Sequence, residues 1–87
     1  MAQTITTTAW TQITGLESSK DYILQAQYTI GCPNPIPVEW LQVGSEPAST
    51  DIGLIDSKIK VSGSEDVYVR SGSVPLNVVV QEVITGA

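Results

Sequence analysis

Glycines at positions 15, 31, 44, 53, 63 and 72 cut the chain at intervals of 9 to 16 residues. That is the turn spacing of short strands in a sandwich or barrel, and no segment between them reads as a good helix. Valine, isoleucine and threonine supply 28 of the 87 residues, and such β-branched side chains suit a pleated sheet while losing rotamer freedom in a helix. The length allows one domain with a small core. The expectation is an all-β fold, a compact antiparallel β-sandwich or jelly-roll-like barrel of six to eight short strands.

The segment 1–8, rich in threonine, reads as an extended arm or edge strand, and 9–87 as the single β domain. Asp21 to Ile30 is the clearest strand, with Tyr22, Leu24, Ala26, Tyr28 and Ile30 on one face, expected to point inward. Three prolines at alternate positions make Cys32 to Pro37 a rigid loop rather than a central strand. Val38 to Val43 is the next strand, followed by a turn-rich loop from Ser45 to Thr50. Ile52-Gly53-Leu54-Ile55 is a short apolar run, and Asp56 to Ser62 alternates as a half-exposed strand. In Glu65 to Arg70, Val67 and Val69 oppose Tyr68 and Arg70. Leu76 to Ile84 is apolar on both sides, so it is either central in its sheet or covered by a partner.

Composition excludes several kinds of chemistry. Histidine is absent and Cys32 is the single cysteine, so neither a histidine-based triad nor a Cys/His zinc cage can be built from this chain. An odd thiol suits a reducing cytoplasm and reads as a small buried hydrophobe. No phosphate-binding glycine motif or calcium loop is present, and the acid pairs Glu65/Asp66 and Asp51/Asp56 read as solvated turn residues. The expectation is a protein that is not an enzyme and needs no cofactor or metal. Nine acids against four bases give a net charge of −5, which repels phosphate backbones and anionic lipid, so neither nucleic acid nor membrane is an expected partner. The N-terminal residues carry no charged and apolar leader and no apolar run spans a bilayer, so neither export nor insertion is expected.

The charge therefore points to protein partners or to none. Tryptophan serves both small β cores and contact surfaces, and with no phenylalanine in the chain the core role is expected for at least one of Trp10 and Trp40. Arg70, the single arginine, is expected either to pair with an acid of its own chain or to reach another subunit. The candidate interface residues are Ile5, Trp10, Tyr68, Arg70, Val79 and Val83.

Three short stretches carry a likeness: Ala9-Trp10-Thr11-Gln12-Ile13, Asp21-Tyr22-Ile23-Leu24-Gln25, and Asp66-Val67-Tyr68-Val69-Arg70-Ser71 before a valine-rich final strand. In this order they resemble the small β-sandwich virion accessory proteins of tailed bacteriophages, of the capsid decoration or head-fibre type. The Cys-Pro-Asn-Pro-Ile-Pro segment departs from that pattern. The resemblance implies a structural virion protein, most simply a capsid decoration (cement) protein made in the host cytoplasm. Such a protein would bind the major capsid protein or another virion protein noncovalently and stabilise the shell as a homo-oligomer, for example a trimer. Tail, baseplate or head-fibre components are close alternatives. A carbohydrate- or receptor-binding module that stacks Trp10, Trp40 or Tyr68 on sugars is a third, and a small inhibitor of a host protein a fourth.

Overall fold

A computed structural model describes residues 2–28, 35–72 and 75–83. It contains eight strands: β1 (Ala2–Ile5), β2 (Thr11–Gln12), β3 (Asp21–Tyr28), β4 (Val38–Gln42), β5 (Leu54–Asp56), β6 (Lys58–Ser62), β7 (Val67–Arg70) and β8 (Leu76–Val83). They form two four-stranded sheets of order β1-β8-β3-β6 and β2-β7-β4-β5. Every pairing is antiparallel, the first strand with the last, the second with the seventh, the third with the sixth and the fourth with the fifth. A long two-stranded ribbon whose tip is the β4–β5 connection is thus rolled on itself, and the β3–β8 and β4–β7 pairings close the two sheets. This is the double-sheet jelly roll. Its thinnest dimension, 19 Å, fits two sheets stacked about 10 Å apart with one layer of side chains outside.

The period-2 alternation of β3, β8 and β4 builds the core. Tyr22, Leu24 and Ala26 share a face with Leu76, Val78 and Val80 across the β3–β8 register, and with Ile5 and Val61 at the flanks. From the second sheet Val38, Trp40, Val67, Val69 and Ile13 meet them. Trp40 is the largest fully buried side chain, and its indole Nε1 donates to the Asp56 carbonyl at 2.8 Å, so its one polar atom is satisfied. The sheets are also tied by the Gln3 side chain, which donates to the Thr14 carbonyl at 2.6 Å and accepts from the Thr14 amide at 3.2 Å, much as a strand neighbour would.

The N-terminal segment is the edge strand of the two readings offered for it, since β1 lies along β8. The two-sided apolar strand β8 is interior to its sheet, between β1 and β3. The inward reading holds for Tyr22, Leu24 and Ala26 but fails for Tyr28, which ends β3 and is half exposed. Ile30, Cys32 and Ile84 lie outside the described residues. Of the proline segment, Pro35 bridges Gln27, and the Ile36 amide donates to the Ala26 carbonyl at 3.0 Å while its side chain is buried.

Candidate functional site

The outer face of the β2-β7-β4-β5 sheet is covered by the tip of the ribbon, residues 43–53. In register, Glu39 of β4 stands opposite Arg70 of β7. Arg70 Nε donates to Glu39 Oε1 at 2.9 Å and Nη2 to Oε2 at 3.1 Å, the fork geometry that suits guanidinium and carboxylate. The remaining donor capacity goes to the loop: Nη1 to the Ser49 carbonyl at 2.8 Å and Nη2 to the Asp51 carbonyl at 2.7 Å. Glu39 Oε2 also accepts the Gly53 amide at 2.7 Å. Beneath the loop, Trp10 stacks under the guanidinium with 4.3 Å from Cζ to the ring centroid, and its Nε1 donates to the Ala48 carbonyl at 3.1 Å. Asp51 closes the turn, its Oδ2 accepting the Ala48 amide at 2.8 Å. The Arg70 guanidinium, and after it the Gly53 amide, hold the Glu39 carboxyl below the usual carboxylate range, while Glu39 raises Arg70 in return.

Gly53 is required at this crossing. A Cβ there would collide with the Trp40 carbonyl and lie 3.1 Å from Trp10 Cη2. The loop therefore packs directly on the β4 backbone.

This clamp grips the backbone on both sides of Ile52, at the Asp51 carbonyl and the Gly53 amide. Ile52 itself points away and is 85% exposed, followed by Leu54 at 74% and Ile55 at 67%. Leu54 lies opposite Trp40 and Ile55 opposite Glu39, so β5 presents apolar side chains on both of its faces. Among the described residues it is an edge strand with β4 as its one neighbour. Exposed apolar edges are what β proteins usually blunt with charge or cover, and clustered exposed apolar surface marks contact sites. On the inner side of β5 a groove of about 650 Å³ opens, lined among others by Trp40, Leu54, Lys58, Ile59 and Lys60.

The sequence candidates fall differently. Ile5 is 2% exposed and packs in the main core; Trp10, at 7%, lies under the ribbon tip, and Tyr68, at 8%, is buried on the face of β7 that carries Arg70. All three are packed within this chain: β1 docks as a strand, and the loop lies over Trp10. Both tryptophans are buried, as the core reading required of at least one. Arg70 takes the intrachain pairing with Glu39. Val79 and Val83 are half-buried on the outer face of the other sheet, away from the β5 edge.

Ile52, Leu54, Ile55, Lys58 and Lys60 were not singled out from sequence. The available signal was an apolar run bounded by Asp51 and Asp56 directly after a turn-rich loop. Asp51 and Asp56 serve turns, Oδ2 of the first accepting the Ala48 amide and Oδ1 of the second the Ser57 amide, while Asp66 Oδ1 accepts Gln12 Nε2 of β2 at 3.4 Å. Among the described residues no three acidic or cysteine side chains gather as a metal site requires. In comparisons with known proteins, no family model matches the chain, and neither a curated protein nor a solved structure matches it.

Proposed function

We propose that this chain is a structural adhesion protein of a tailed-bacteriophage particle, a capsid decoration protein that binds the outer shell noncovalently through its β5 edge. The observation that carries the reading is the presentation of Ile52, Leu54 and Ile55 in water by a loop whose backbone is pinned on either side of Ile52. An apolar anchor held in one conformation loses little entropy on binding, which is how rigid contact surfaces gain affinity. The jelly roll supports the reading at the level of fold alone, since the same architecture serves viral capsid and lectin domains. The resemblance of the Trp10, Tyr22 and Tyr68 stretches to virion accessory proteins supports the particle as the place. Tail, baseplate and head-fibre roles use the same kind of contact.

The sugar-binding alternative asks for exposed aromatic faces, and Trp10, Trp40 and Tyr68 are buried. No observation favours it over protein adhesion.

Sedimentation of the purified protein with mature capsids tests the proposal. Co-sedimentation that saturates at a fixed copy number is the expected result; protein left in the supernatant at saturating concentration overturns it. Light scattering of the free protein then separates a preformed oligomer from a monomer that assembles on the shell.

A further inference from the structure

We propose that the β5–β6 groove takes an extended, acidic segment of a protein partner, added as a strand along the free edge of β5, with carboxylates facing Lys58 and Lys60. The inference rests on the adhesion reading and names the chemistry of what adheres.

The edges of the two sheets are unequal. β2 has two residues, neither of them apolar, and β1 is a polar strand whose one buried residue, Ile5, faces the core. β6 carries Lys58 and Lys60, the usual edge-blunting residues. Among the described residues, β5 alone combines a free edge with exposed apolar side chains. Main-chain pairing along such an edge gives affinity, and the side-chain positions beside it give selectivity.

Charge decides what kind of segment fits. The chain has four bases. Lys20 pairs with Glu17 and Glu82, each at 3.0 Å, and Arg70 with Glu39. Lys58 and Lys60 have no ion pair among the described residues, yet both line the groove. The one acid lining it, Asp56, already turns its Oδ1 toward the Ser57 and Lys58 amides at 2.7 and 3.4 Å. In a chain of net charge −5, the apolar groove thus holds two uncommitted cations, which complement an acidic strand. A second copy of this chain fits less well, because a two-fold contact sets the patch against itself and brings the lysines of both copies together.

An amide NMR titration of the full chain tests this with two short capped peptides, one alternating valine with glutamate and one alternating valine with lysine. The glutamate peptide is expected to shift residues 54–60 and, at low salt, to bind about tenfold tighter than the lysine peptide. The K58E/K60E variant, altered at two exposed positions, is expected to reverse that order. Equal affinities, no shift up to about 1 mM peptide, or the same shifts produced by raising the protein concentration alone would overturn the proposal. Sedimentation with capsids separates the two readings. If K58E/K60E co-sediments like the parent while I52D/L54D does not, the acidic-strand inference fails and adhesion stands; if the parent itself does not co-sediment, the capsid reading fails while the peptide result still judges the groove.

Discussion

Arg70 and Glu39 face each other across the β4–β7 register and are joined by two hydrogen bonds, at 2.9 and 3.1 Å. The pair does more than bridge two strands, because the same guanidinium accepts the load of the loop at Ser49 and Asp51, and the same carboxylate receives the Gly53 amide. Replacing Arg70 by lysine keeps one charge but cannot reproduce a planar fork with four acceptors and a stacked tryptophan. In R70K the Gly53 amide is expected to exchange with solvent at nearly the rate of an unprotected amide while core amides such as that of Leu24 stay protected. Unchanged Gly53 protection would show that the clamp does not hold the loop.

Acid should release the same loop. With its folded-state pKa depressed by Arg70 and Gly53, Glu39 contributes stability that is fully present above the unfolded value of about 4.3. That contribution is lost as pH falls from there through the folded value, since the unfolded chain takes up the proton first. The difference in melting temperature between the parent and E39Q is expected to be largest at neutral pH and to shrink below about pH 4. A difference independent of pH would remove the ion pair from the account.

At Gly53 the expected effect is steric. A methyl group meets the Trp40 backbone, which cannot swing aside as a side-chain tip can. G53A should cost about 1–3 kcal/mol in denaturant unfolding, the usual range for overpacking, whereas G44A, with nothing within 4 Å of its Cβ, should lie within about 0.5 kcal/mol of the parent.

Trp40 couples the core to this edge. W40A should cost about 3–5 kcal/mol, the range for emptying a large aromatic site, and it also leaves the Asp56 carbonyl without its indole donor. W40F keeps most of the volume and is expected to be milder. Equal losses for the two would place the weight on the hydrogen bond rather than on packing.

The strands were legible wherever one face alternates against water. Tyr22, Leu24 and Ala26, Val67 and Val69, and Val78 and Val80 all take the side their period assigns. Legibility failed where burial depends on a distant segment. Tyr68 lies on the face that alternation assigns to solvent, yet it is buried, on the side of β7 where Arg70 holds the loop at Ser49 and Asp51. The loop held by Arg70 also reverses the local reading of Ile52, Leu54 and Ile55: an apolar run usually means core, but with Asp51 and Gly53 tied down Ile52 is left in water, and the β5 edge leaves Leu54 and Ile55 exposed. No short-range pattern encodes that, because it follows from contacts between Arg70 and residues 19 to 31 positions earlier.

The central claim is that the β5 edge is the adhesive surface, and the most direct measurement is quantitative co-sedimentation of I52D/L54D with mature capsids beside the parent protein. Both side chains are exposed, so the variant should unfold within about 1 kcal/mol of the parent, and a matched denaturation curve establishes that it is folded. The parent is expected to saturate the shell while I52D/L54D stays in the supernatant. Equal binding of the two would contradict it and place the contact elsewhere on the molecule.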